Sequence, residues 1–356
     1  MGAARGPHIP DWTSGRQAHD PAVAKNMASS ESSKVSLVSP TREAPAWKKS
    51  AINLDSGFKS LVMLAALVVL GIVGLIVAEL MQRSALAWQK FGFHFFVGSD
   101  WDPVSGGFGA LPFIYGTVVS SLVALVIAVP LAIAVAVFVT EMCPKPLRKP
   151  ISYATELLAA IPSVIYGLWA MFILVPILRV HVEPWLMKYF SWTGLFEGPA
   201  YGIGMLAAGV VLAIMIVPII SSITREVLVV VPQPQREAAL ALGATRWEMI
   251  RMAVLRNARA GIMGAVILGL GRALGETMAV TMVIGNSPAI AKSLLAPGYT
   301  MASVIANEFN EATSDLHRSA LIEIGLALFI VTIIVNILAG LMVWTVTRGT
   351  PARTNA

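Results

Sequence analysis

Long uncharged stretches alternate with short charged ones along this chain, and that alternation is its first readable feature. A helix needs about 20 apolar residues to cross roughly 30 Å of hydrocarbon. Six stretches meet that length, at about 60–80, 112–140, 155–178, 201–223, 260–286 and 322–347. The charged residues that bracket them include Asp102 and Glu141, Glu156 and Arg179, Glu197 and Arg225, and Glu323 and Arg348. No alternating strand pattern occurs, and lipid offers no partner to unpaired backbone groups, so each span is expected to be helical. The expected fold class is an all-α membrane protein with six transmembrane helices. Residues 59–350 form the six-span transmembrane domain. Residues 1–58 are rich in Ser, Pro, Ala and charge and lack an apolar signal region, which predicts a disordered tail.

Composition agrees with the pattern. The chain has 356 residues, 56% hydrophobic and 13% charged, with mean hydropathy +0.73. Soluble domains average about 25% charged residues. An ordinary soluble globule is excluded. The formal charge of +6 might point to nucleic acid, but the positions of the charges explain it otherwise. With the N-terminus in the cytoplasm, 19 of the 26 Lys and Arg fall on the inner side and 6 on the outer side. That is the positive-inside bias of a multi-pass protein with both termini cytoplasmic, and no nucleic-acid partner is needed. The outer segment 83–111 is aromatic and glycine-rich between Phe91 and Gly109, which fits a cap over the bundle or a docking site.

Several features mark the spans as more than a scaffold. Pro130, Pro162, Pro176 and Pro218 fall within apolar stretches, where neighbouring helices can satisfy freed carbonyls and kinks are tolerated. The fifth stretch carries Gly261, Gly264, Gly269, Gly271 and Gly275. The four-residue spacing of Gly271 and Gly275 fits close helix packing, within the bundle or against a partner subunit. The same stretch holds Arg272 and Glu276, four apart and so expected on one helix face as a pair. An Arg inside a span costs roughly 2.5–3.5 kcal/mol to insert, so such residues seldom face lipid. Two readings stay open: an interhelical lock, or an anion contact in a translocation path, where the planar guanidinium fork suits oxyanions. Thr277, Thr281 and Asn286 continue the polar stretch.

The basic loop 225–259 is the only long inner connection. Pro232 and Pro234 precede a run of helix formers, Glu237 suits the start of a helix, and Gly243 suits a turn to a second short helix. A single cysteine, Cys143, excludes a disulfide framework. No G-x-x-x-x-G-K-[ST] and no H-E-x-x-H occurs, and the five histidines are scattered. The chain therefore reads as having no catalytic residue, no metal site and no cofactor of its own. One carboxylate within a span and no internal repeat argue against an ion-driven secondary transporter.

Glu237-Ala238-Ala239 followed by Gly243 resembles the coupling loop of ABC importer permeases, although Leu255-Arg256 stands where that family usually has Leu-Pro. A narrower resemblance lies in Gly271-Arg272-Ala-Leu-Gly-Glu276-Thr-Met-Ala-Val280, Ile284-Gly-Asn286, Trp101-Asp102-Pro103, Gly116-Thr117 and Ala159-Ala-Ile-Pro162-Ser-Val-Ile-Tyr-Gly167. These are similar to phosphate-specific importer permeases of the PstC type and cover about residues 90–290. The resemblance implies a type I ABC importer permease (MetI-like) fold in the bacterial inner membrane. It implies a homologous second permease subunit, two ATPase subunits that use Mg-ATP, and a periplasmic phosphate-binding protein. It places Arg272 and Glu276 on the phosphate path, where the polar stretch adds Thr277 as a hydrogen-bonding candidate, and Glu237, Ala238, Ala239 and Gly243 at the ATPase contact. A permease for another oxyanion and the sister phosphate permease are the alternatives.

Overall fold

The computed structural model describes residues 48–347, with side chains for 56–345. Most of the expected tail lies outside the described residues. Its last part does not behave as a tail, because helix α1 spans Lys48–Arg83 and starts ahead of the expected boundary at 58. The chain divides into two units at Val68. The described part of the first is the opening half of α1, whose Leu61, Leu64 and Leu67 are exposed.

The second unit holds everything from Val69 onward. After α1 come α2 (Ala85–Phe91), α3 (His94–Val97) and a two-stranded hairpin, β1 (Trp101–Asp102) with β2 (Gly107–Phe108), in register Trp101 to Phe108. Then follow α4 (Leu111–Val137, continued by a π turn Phe138–Met142) and α5 (Lys145–Ala160). Next are α6 (Ser163–Thr193) and α7 (Met205–Val230). The chain ends with α8 (Gln233–Ala241), α9 (Arg246–Leu274), α10 (Met278–Thr281), α11 (Met301–Glu308) and α12 (Asp315–Thr347). Among the described residues six helices are long and apolar enough to span a membrane: α1, α4, α6, α7, α9 and α12.

Their bounds correct three expectations. The third span runs Ser163–Thr193, not 155–178. Pro162 breaks the helix rather than kinking it, because the residue before a proline is pushed out of the helical region, and Ile161 is extended with ψ 130°. Residues 155–160 belong instead to α5, which Glu156 ties to Arg225 of α7 at 2.7 Å. The fifth span ends at Leu274, not 286, capped by Gly275. The sixth starts at Asp315, so Glu323 is no bracket. It lies inside α12, fully buried, with neither oxygen hydrogen-bonded among the described residues. Of the remaining prolines, Pro130 and Pro218 sit inside continuous helices and Pro176 lies between two π turns of α6.

The centre of the second unit is the α4–α7 pair. Ala124, Ala128, Ala132 and Ala136 recur every four residues and form one buried stripe of α4. Small side chains at that spacing let two helices approach closely, and Ala207, Ala208, Val211, Leu212 and Ile216 of α7 complete this core. α9 joins α7 through two other small positions. Gly261 meets Val227, and a Cβ at Gly269 would lie 2.7 Å from Ile220. A second core forms a cap from Phe95, Phe108, Phe113, Tyr299, Met301 and Leu321. Within it Trp101 meets Phe108 and Phe113 edge-on at 4.9 and 4.8 Å and donates its Nε1–H to Glu308 at 2.9 Å. The aromatic segment thus packs against α4, α11 and α12. At its exposed edge, hydrogen bonds from Ser105 and the Val104 amide hold the Asp102 carboxyl below the usual carboxylate range.

Gly116 of α4 faces the Tyr299 carbonyl so closely that no Cβ fits. Backbone cannot yield as a flexible side chain would, and overpacking of this kind costs about 1–3 kcal/mol. Gly116→Val is therefore expected to lower the thermal unfolding midpoint of the purified protein by several degrees. An unchanged midpoint would show that the cap does not seat on α4 as described.

Candidate functional site

The residues from Gly275 to Tyr299 do not continue α9. They turn through α10, reverse at Gly285 (φ +92°) and Asn286 (φ +49°), and return beside themselves. Hydrogen bonds from Gly298 N to the Ile284 carbonyl and from Ser287 N to the Gly298 carbonyl, at 3.0 and 3.1 Å, fix the return. The first amides of a helix lack partners within it. Here the amides of Gly204, Met205 and Leu206 at the start of α7 donate to the carbonyls of Val283, Ala296 and Leu294. This loop therefore caps α7 while α7 satisfies the loop. Irregular backbone at membrane depth is tolerated only where protein or a water-filled cavity covers it.

This geometry overturns the expected Arg272–Glu276 pair. The helix stops at Leu274, so the two side chains are not one turn apart on a common face. Among the described residues no ion pair joins them. Arg272 lies in the last turn of α9 and is exposed on the surface of the chain. Glu276 is half-buried, and its Oε1 accepts from the Ala279 amide at 3.4 Å, at the start of α10. Thr277 is half-buried as well, and its carbonyl accepts from the Thr281 hydroxyl at 2.7 Å.

Tyr166, to which sequence reasoning gave no role, is 9% exposed and donates its hydroxyl to the Leu158 carbonyl at 2.7 Å. Beside it, Gly167 lets α6 approach α10 closely, since a Cβ there would lie 3.0 Å from the Ala279 Cα. Gly271 and Gly275 pack no helices together among the described residues. Among these, nothing lies within 4 Å of a Cβ at Gly271, and only the Gly271 carbonyl lies near one at Gly275. The in-chain packing falls to Gly261 and Gly269, which leaves the face with Gly271 and Arg272 open. Nor is Glu276 the one carboxylate within the helices to be buried. Glu183 is 1% exposed and accepts from the Gly202 amide at 2.9 Å, and Glu323 is 0% exposed.

The basic loop forms a second site. α8 begins after Pro232, as its prolines predict, and Gly243 (φ +85°) makes the turn. Thr245 and Glu248 then cap the start of α9 reciprocally, with Thr245 N donating to Glu248 Oε2 at 2.8 Å. Between α8 and the base of α9 lies an open groove of about 530 Å³ lined by Ala238, Ala239, Leu242, Gly243, Met252 and Ala253. Glu237 stands exposed beside it, and Leu242 is 90% exposed. Arg236 anchors α8 from below. It pairs with Glu141 at 3.1 Å and donates to the Leu228 carbonyl at 2.8 Å. Asn257 adds a bond to Gln235 at 2.7 Å. No local pattern announces the Arg236–Glu141 pair, because its members are 95 positions apart.

A family model described as the binding-protein-dependent transport system inner membrane component matches residues 128–347. The chain belongs to that family. As a member it resembles the phosphate transport system permease protein PstC of Mesorhizobium japonicum, at 48% identity over 302 residues, covering 84% of this chain and 92% of that one. It is also 46% identical to PstC of Haemophilus influenzae over 294 residues, covering 82% and 93%. Among solved structures, a bacterial ABC transporter that imports the acidic polysaccharide alginate aligns with TM-score 0.53 and 18% identity, over 83% of this chain and 99% of that one. That likeness shows the fold. The family match takes in α6, α7, α9 and α12 and the groove beside α8, so both sites lie inside the family's core.

Proposed function

We propose that this chain is the permease subunit of an ATP-driven importer that moves inorganic phosphate across the bacterial inner membrane. The PstC relatives support the substrate. One structural observation carries the reading: Arg272 is exposed on a membrane-spanning helix, with no ion-pair partner among the described residues. An Arg in that position facing lipid is costly. A water-filled path completed by a second, homologous permease removes the cost, and a phosphate anion gives the guanidinium its passing partner. The open Gly271 and Gly275 then lie on that same interface. The chain itself has no ATP site in this reading; one of two ATPase subunits that use Mg-ATP seats at the Ala238–Gly243 groove, and the other seats on the second permease. A phosphate-binding protein delivers the anion to the outer face. Nucleotide-driven motion of α8 reaches α4 and α9 through Arg236 and Gln235, and access alternates. Both termini lie in the cytoplasm, on the side of the basic loops.

The test is transport by the reconstituted four-part complex with its binding protein. Proteoliposomes are expected to accumulate radiolabelled phosphate only with ATP on the ATPase side. Accumulation of another oxyanion in its place, or accumulation without ATP, would overturn the proposal.

A further inference from the structure

Asn286 is the one residue other than glycine among the described residues with a positive φ, +49°. Asparagine visits that conformation more readily than most residues. Strained backbone of this kind persists only where surrounding structure over-determines it. Here the determinants are hydrogen bonds. Asn286 Nδ2 donates to the Thr281 carbonyl at 3.0 Å, and the fully buried Ser303 hydroxyl lies 3.2 Å from Asn286 Oδ1. Ser303 Oγ also lies 3.0 Å from Thr281 Oγ1, whose proton goes to the Thr277 carbonyl at 2.7 Å. A continuous chain of polar contacts therefore runs from Thr277, beside Glu276, to Asn286. The end of that chain is exposed. An amide nitrogen has two protons, and only one of Asn286 is used within the described residues.

We propose that Asn286 is an anion-contacting residue of the translocation path, presenting its second amide proton to a phosphate oxygen after or before the anion meets Arg272. This inference rests on the path reading above. It explains why the loop turns on an asparagine at a φ where glycine would be less strained. Glycine would make the turn but leave no donor. The contact is neutral, so it orients the anion without adding a second charge that would hold it too tightly.

Two variants test the proposal in the reconstituted complex. Asn286→Gly keeps the turn and removes the donor. Asn286→Asp keeps the shape and the Ser303 bond but replaces the donor by a negative charge. Losing a hydrogen bond to a charged partner corresponds to roughly tenfold. Phosphate uptake is expected to fall roughly tenfold in Asn286→Gly and further in Asn286→Asp, while ATP hydrolysis stimulated by the loaded binding protein stays near wild type. A structural role would not separate those two rates. Wild-type uptake in either variant, or a loss of uptake in step with lost assembly or ATP hydrolysis, would overturn the proposal. A wild-type complex that moves no phosphate would overturn the path reading with it, so the two failures are distinguishable.

Discussion

Replacing Arg272 by glutamine is expected to reduce ATP-dependent phosphate uptake roughly a hundredfold, while the complex still assembles. The argument has two sides. The guanidinium is exposed and unpaired within the described chain, so its removal breaks no internal bond. Removal also lifts the cost of placing a charge in a span, roughly 2.5–3.5 kcal/mol, so insertion should not suffer. What is lost is the charge-assisted contact with the moving anion. Arg272→Lys should lie between the two, since it keeps the charge and loses the planar fork. Uptake assayed beside co-purification of all subunits checks this. A variant that fails to assemble would instead make Arg272 an interface lock.

Arg236→Ala is expected to uncouple the transporter. It strands the Glu141 carboxylate, whose side chain is 10% exposed, and frees the Leu228 carbonyl. Breaking a buried pair by removing one partner costs about 3 kcal/mol. Arg236 is also the residue that clamps α8 to the end of α4 and α7, so the groove should loosen on the bundle. ATP hydrolysis should persist while phosphate moved per ATP falls severalfold. Arg236→Gln combined with Glu141→Gln replaces the charges by amides that can still bond, and should restore part of the ratio. An unchanged ratio in Arg236→Ala would show that force passes elsewhere.

These two residues show what can be read from the sequence and what cannot. Arg272 stands out in the sequence because charge is scarce in the spans, and its exposure could not be foreseen only because the helix was expected to run on to 286. It stops at Leu274, and the loop that follows finds its partners in the first amides of α7. Glu276 is displaced by the same event. Gly243 was legible, since a turn between two short helices needs a positive φ. The Arg236–Glu141 pair was not, because neither local spacing nor hydropathy encodes a contact between residues 95 apart. Pro162 was read as a kink and proved a break, since hydropathy carries on across it while the backbone does not. Gly271 and Gly275 share their spacing with genuine packing glycines. Only the position of Val227 and Ile220 assigns in-chain contact to Gly261 and Gly269 instead.

The central claim is that position 272 faces an aqueous path in the assembled transporter. Its most direct measurement is water accessibility. In a Cys143→Ser background, which removes the chain's one cysteine, Arg272→Cys can be challenged with a charged, membrane-impermeant thiol reagent in the reconstituted complex. Modification is expected in at least one nucleotide state, slowed by millimolar phosphate. No modification in any nucleotide state would place residue 272 against lipid or a sealed interface, and would contradict the account.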